Sequence, residues 1–152
     1  MRYHRRDSVV FLYNRILFLK CGVVLVVLKG DRIMEYRILG KTGLKISRMG
    51  FGGIPIQKID EEGTRKLFHE MAEKGINYID SARGYTVSEK YIGYALEGIR
   101  DKFILATKSM ARTKEAMAAD IETSLGNFRT DYIDLYQVHN PSMEQLDQVI
   151  GE

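Results

Sequence analysis

Three short apolar runs recur about every 26 to 30 residues along this chain: Asn77-Tyr-Ile-Asp80, Phe103-Ile-Leu-Ala-Thr-Lys108 and Tyr132-Ile-Asp-Leu-Tyr-Gln-Val-His139. Helical patterns separate them. Strands alternating with helices at this spacing restrict the chain to parallel strands joined by crossover helices.

The intervening segments carry their own start and stop signals. Asp60 fits an N-cap, and Glu61 and Glu62 suit the positive end of the helix that follows. Leu67 and Met71 share a face there with Phe68 and Ala72, and Lys74-Gly75 supplies the stop. Ser88 is expected to cap a second helix, with Ile92, Ala95, Leu96 and Ile99 along one face. Thr113 is expected to cap a third, aligning Met117, Ile121, Leu125 and Phe128. Pro141-Ser142 leads to Gln145 in a capping-box pattern that opens a fourth. Upstream, residues 36–47 hold two β-type stretches around Gly40-Lys-Thr-Gly43, the composition of a hairpin. Arg48-Met-Gly-Phe-Gly-Gly53 reads as a short strand running into a glycine-rich loop. Four such βα units fit either a doubly wound sheet or half of an eight-stranded barrel, and periodicity does not choose between them.

The net charge of +3 invites a nucleic-acid reading that its distribution removes. Arg2, Arg5, Arg6, Arg15, Lys20, Lys29 and Arg32 face only Asp7 and Asp31 in residues 1–34. The remaining 118 residues hold 16 basic against 18 acidic groups. The basic balance therefore belongs to the leader, and no nucleic-acid surface is expected. Cys21 is the lone cysteine, which excludes a disulfide framework and fits a cytoplasmic protein. Cys21 to Leu28 is an uncharged stretch far short of the roughly 20 residues of a membrane span. No small-residue cleavage site precedes Lys29-Gly-Asp-Arg, so a secretory signal is not expected either. Residues 1–33 are read as a basic, apolar leader outside the domain, upstream sequence before the natural start at Met34, with a targeting peptide or a peripheral anchor as the alternative; 34–152 is the domain itself.

Each strand-like run ends in, or is soon followed by, an ionisable group: Asp80 and then Tyr85, Lys108, and His139. In neighbouring parallel strands these side chains would meet at one end of the sheet, where α/β proteins place their chemistry. Taken singly, each has a plain structural reading. Tyr85 is one of nine tyrosines, Lys108 could be the solvated end of a strand, and His139 a polar residue beside a proline turn. Asp80 is harder to dismiss, because an acid following Tyr-Ile in a parallel strand is costly unless paired.

Together, Asp-Ser-Ala-Arg-Gly-Tyr-Thr-Val-Ser-Glu from Asp80 to Glu89, with Lys108 and His139 closing the next two strands, resembles the catalytic tetrad region of the aldo-keto reductases. The resemblance spans about residues 35–152 and implies a (β/α)8 barrel with an N-terminal hairpin, truncated here after about strand 4 and helix 4. It also implies reversible reduction of an aldehyde or ketone by NADPH, with NADH possible. Tyr85 would be the general acid. A free phenol has a pKa of about 10, and an adjacent ammonium, the part of Lys108, favours the phenolate. Asp80 would hold Lys108, and His139 would hydrogen-bond the carbonyl oxygen. Gly52, Gly53 and Ile54, with Asp80, would contact the cofactor.

Competing motifs fail on inspection. Gly40-Lys41-Thr42 lacks the upstream P-loop glycine, since Glu35 stands there, and Pro55 replaces the third glycine of a dinucleotide fingerprint. His4, His69 and His139 are scattered, so no metal site is expected. Gly-Phe-Gly-Gly-Ile-Pro-Ile-Gln also resembles a reductase subgroup with a C-terminal iron–sulfur segment, but no cysteine cluster accompanies it here. The expected partner is a small carbonyl substrate. The alternatives are a non-catalytic reductase-like regulatory subunit or an inert truncation product. The half-barrel is expected to be inactive alone and to self-associate through open strand edges.

Overall fold

The computed structural model describes residues 34–150, together with two paired dipeptides, Leu17–Phe18 (β1) and Val24–Leu25 (β2). Apart from those dipeptides, the leader assigned to residues 1–33 lies outside the described residues.

The anticipated hairpin is present, with β3 (Tyr36–Ile38) antiparallel to β4 (Lys45–Ser47). Gly40 and Gly43 take positive φ of 52° and 77° in its turn. Asn77, just ahead of the second strand of the main sheet, stitches the hairpin to that sheet's N-terminal end. Its Oδ1 accepts from the Ser47 N–H at 2.7 Å, and its Nδ2 donates to the Lys45 carbonyl at 3.0 Å. The hairpin therefore closes the end opposite the expected chemistry.

The main sheet runs β5 (Gly50–Gly52), β6 (Tyr78–Asp80), β7 (Ile104–Ser109) and β8 (Leu135–Val138), in that order and parallel throughout. Helices α1 (Glu61–Glu73), α2 (Ser88–Ala95), α3 (Lys114–Phe128) and α4 (Met143–Ile150) follow the strands in turn. Strand order equal to chain order, with every crossover of one hand, sends consecutive helices to a single face. One core shows this: Phe51, Ile79 and Leu105 of the sheet pack with Phe68 and Met71 of α1, Ile92 and Ala95 of α2, and Phe128 of α3. That is the winding of a (β/α)8 barrel rather than a doubly wound sheet, the choice periodicity left open.

The helix boundaries follow local chemistry. Asp60 caps α1 by accepting from the Gly63 N–H at 2.8 Å, and Gly75 at φ 74° ends that segment. Thr113 caps α3, accepting from the Ala116 N–H at 3.3 Å. Ser142 and Gln145 make the reciprocal capping-box bonds at 3.0 and 3.1 Å.

Two expectations need correction. Ser88 is not a cap. It is the first helical residue of α2, and its buried hydroxyl bonds the Gly53 carbonyl at 2.9 Å and pairs with Ser81 Oγ at 2.9 Å. The same helix ends at Ala95, because Gly98 (φ 77°) turns the chain, yet Ile99 still reaches the core from that turn. On α3, the aligned face is real but shallow: Phe128 is fully buried, whereas Met117, Ile121 and Leu125 are half-buried.

Candidate active site

Alternation along the strands sorts side chains by face. Ile79, Leu105, Thr107 and Ser109 turn toward the helices, while Asp80, Lys108 and Gln137 turn the other way and meet. Lys108 Nζ donates to Asp80 Oδ2 at 2.6 Å and to the Ser81 carbonyl at 2.8 Å. Gln137, in register with Lys108 on β8, donates from Nε2 to Asp80 Oδ1 at 3.1 Å. Both Asp80 oxygens are thus committed, and the ammonium is more enclosed than its partner, at 13% against 37% side-chain exposure.

Tyr85 is carried over this pair by the turn between β6 and α2. Its N–H donates to the Ala82 carbonyl at 3.0 Å, and its own carbonyl accepts from Ser88 at 2.8 Å. Thr86 beside it sits at φ 41°, a left-handed conformation that β-branched residues rarely take. Its hydroxyl is tied to Gln57 Oε1 at 2.7 Å. The Lys108 ammonium lies 5.1 Å from the Tyr85 ring centroid. The His139 ring stands edge-on to Tyr85, with centroids 5.9 Å apart and planes at 87°.

His139 follows β8 directly. Its N–H donates to the Ser109 carbonyl at 2.8 Å, and its carbonyl accepts from Arg112 Nη2 at 2.8 Å. Its Nδ1 is buried without a hydrogen-bond partner among the described residues. The structure therefore brings Asp80, Tyr85, Lys108 and His139 into one cluster at the C-terminal end of the sheet.

A pocket of about 400 Å³ opens beside them, lined by residues 50–55 with Asp80 and Tyr85. Gly52 faces open space there, since a Cβ on it would meet nothing within 4 Å. Gly53 differs, because a Cβ would come 2.6 Å from Ser88 Oγ and 2.9 Å from Ser81 Oγ. The room left at Gly53 is taken by those two hydroxyls. Ile54 stands 54% exposed just past them.

Two parts of the arrangement escaped sequence reasoning. Gln137 was findable, since it lies two before His139, which closes the apolar run, and in an extended run alternate residues share a side. Glu89 was visible as part of the Ser-Glu pair but had no role. It is 2% exposed and accepts four hydrogen bonds: Arg83 at 3.1 Å, and Thr107, Ser124 and Asn127 at 2.9 Å each. Although burial opposes its charge most strongly, Arg83 is held above its ordinary pKa by Glu89 and then Asp120. Beneath Asp80, the Tyr78 phenol is pushed up by burial and then by the Asp80 charge.

Chemically, the cluster offers a phenol and an imidazole as proton and hydrogen-bond donors beside a fixed ammonium. Among the described residues no three of His, Cys, Asp and Glu converge as metal ligands, and no helix is long and apolar enough to cross a membrane.

Comparison with known proteins agrees with this geometry. The family model described as "Aldo/keto reductase family" matches residues 48–148. Aldo-keto reductase YhdN of Bacillus subtilis (strain 168) is 35% identical over 142 residues, covering 78% of this chain and 43% of that protein. The solved structure of aldo-keto reductase AKR11C1 from Bacillus halodurans, holo form, superposes with a TM-score of 0.68 at 35% identity. That match covers 78% of this chain and 44% of the other. An aldo-keto reductase from Klebsiella pneumoniae, crystallised with NADPH, shares the fold with a TM-score of 0.69 at 23% identity, over 79% of this chain and 44% of that one. The chain spans less than half the length of these relatives.

Proposed function

The chain belongs to the aldo/keto reductase family, and on that premise we propose that it carries the proton-transfer half of an NAD(P)H-dependent reduction of an aldehyde or ketone. The observation that carries this reading is the convergence of Tyr85 with His139 and with the Asp80–Lys108 pair beside an open, glycine-walled pocket.

Tyr85 gives its proton to the carbonyl oxygen as the alcohol forms. Lys108 stabilises the negative charge left on the phenol oxygen, and Asp80, braced by Gln137, keeps the ammonium in place. His139 aligns the carbonyl oxygen by hydrogen bonding. A nicotinamide dinucleotide, when bound, supplies the hydride. Gly52, Gly53, Ile54 and Asp80, which line the open pocket, would contact that group when it is bound, and Gly53 keeps the backbone tight against Ser81 and Ser88.

We read the reductase unit as residues 34–152, in a cytoplasmic setting, with residues 1–33 as a leader outside it. Residues 34–152, taken alone, are expected to bind NADPH weakly and to show no turnover. Among the described residues β5 and β8 each have one strand neighbour, which supports self-association of the isolated chain. A monodisperse monomer by analytical ultracentrifugation would remove that part.

The decisive test joins residues 34–152 to the later strands of the Bacillus halodurans reductase and follows NADPH oxidation with a panel of aldehydes and ketones. Turnover that falls about 10²–10⁴-fold in Tyr85→Phe supports the assignment. Turnover indifferent to Tyr85 refutes the assignment, whereas a folded chimera that binds NADPH and reduces no carbonyl favours the regulatory-subunit alternative.

A further inference from the structure

We propose that Arg83 and Glu89 are positioning residues for Tyr85, an ion pair between a half-buried guanidinium and a buried carboxylate that fastens the catalytic turn to β7 and α3. The inference rests on Tyr85 being the proton donor and adds what aims it.

Residues 81–87 must leave β6, present Tyr85 to the pocket and enter α2 within a few residues, passing through the left-handed Thr86. A turn held in a sparsely populated conformation persists only where its surroundings over-determine it. Arg83 lies midway between Asp80 and Tyr85. Its N–H donates to the Lys108 carbonyl at 3.0 Å, while its guanidinium reaches the helix side of the sheet, to Glu89 Oε2 at 3.1 Å and Asp120 Oδ1 at 3.5 Å. Main chain and side chain thus hold the turn from two directions, with Tyr85 on the pocket side.

Glu89 is built as an anchor. A carboxylate this buried is costly unless its lone pairs are filled, and its four donors come from the turn, β7 and α3. A well-packed apolar side chain would stabilise such a position at least as well, so packing alone does not account for the charge.

Asp120 extends the device to the second proton-handling group. Its Oδ2 accepts from Ser109 Oγ, and the Ser109 carbonyl accepts the His139 N–H at 2.8 Å. One helix-side polar network therefore backs both the Tyr85 turn and the start of the His139 segment.

The test uses the full chain and does not depend on turnover. Arg83→Met, Arg83→Lys and Glu89→Gln are compared with wild type by amide hydrogen exchange and by the nuclear Overhauser contact between the Tyr85 and His139 rings. In Arg83→Met the Tyr85 and Ser88 amides are expected to exchange about tenfold faster or more, and the ring contact to weaken. The Ile104 amide, bonded to Asn77 at the far end of β7, keeps its rate. Arg83→Lys should restore part of the protection, and Glu89→Gln should reproduce Arg83→Met. Unchanged Tyr85 exchange in both Arg83→Met and Glu89→Gln overturns the proposal. So does equal acceleration at Tyr85 and Ile104, which would make the pair a general stabiliser. Absence of carbonyl reduction in any form of the protein would count against the reductase reading and leave these readouts interpretable.

Discussion

The two faces of the β5–β8 sheet are built on opposite terms. Toward the helices, Phe51, Ile79 and Leu105 are buried under Phe68 and Phe128, and Phe68 also contacts the Phe51 and Phe103 rings at 5.4 and 5.6 Å. On the other face, Tyr78, Asp80, Ile104, Lys108, Leu135 and Gln137 are only half-buried, and hydrogen bonds join the polar ones above them. The first face stabilises through area removed from water, the second holds charges in a fixed arrangement at modest net gain. Substitutions should therefore separate stability from chemistry according to which face they strike.

Phe68→Ala is the strongest way to break that contrast. Deleting a fully buried ring that contacts two others should cost about 3–5 kcal/mol in urea unfolding, a large share of a small domain's stability. A loss under about 1 kcal/mol would mean that the core is not where the helix face places it. Gly93→Ala probes the same face from the helix side. A Cβ there would lie 2.3 Å from the Asn127 carbonyl and 2.7 Å from the Phe128 backbone, so α2 and α3 would have to separate. Overpacking of this kind costs about 1–3 kcal/mol, outweighing the roughly 1 kcal/mol that alanine gains over glycine in a helix.

The opposite face should answer differently. Lys108→Met removes a partly enclosed ammonium whose partner Asp80 stays half-exposed and still bonded to Gln137. Because Asp80 is exposed enough to be solvated without its partner, the effect on unfolding should stay within about 1 kcal/mol, while NADPH-dependent reduction by a completed barrel should fall at least about 10²-fold. Loss of several kcal/mol without loss of turnover would invert the comparison.

How much of this could be read beforehand also divides by face. The helix-facing core was legible because Ile92, Ala95, Leu96 and Ile99, or Phe68 and Met71, repeat at the helical period and are buried in the structure. The meeting of Asp80, Lys108 and His139 was legible because each stands at or just past a strand end, and parallel strands in chain order align those ends. Tyr85, by contrast, was legible only through resemblance, since nothing in the spacing says where a five-residue excursion returns. Ser88 misled because a serine before a helical pattern signals a cap, and local pattern cannot see Gly53 and Ser81 arriving from elsewhere to bind it. Glu89 was opaque for the same reason, as three of its four donors lie 18 to 38 residues away in sequence.

The smallest effect tests the faces through two tyrosines. The Tyr78 phenol, below Asp80, is pushed up by burial and then by the Asp80 charge. The Tyr136 phenol, turned to α3 and 3.4 Å from Ser124 Oγ, is pushed up chiefly by burial, with the Ser124 hydrogen bond opposing. A raised folded-state pKa means the folded chain holds the proton more tightly. The associated stability is complete below the unfolded value of about 10 and is lost as pH rises through the folded value. Tyr78→Phe and Tyr136→Phe should each flatten the decline of unfolding free energy above about pH 10. The change should be small, since both rings are partly exposed and screened. Asp80→Asn discriminates between the faces. It should shrink the contribution of Tyr78 and leave that of Tyr136 unmoved, because the Asp80 carboxylate acts on its own side of the sheet. Equal responses of the two phenols to Asp80→Asn would show that the faces are not electrostatically separate.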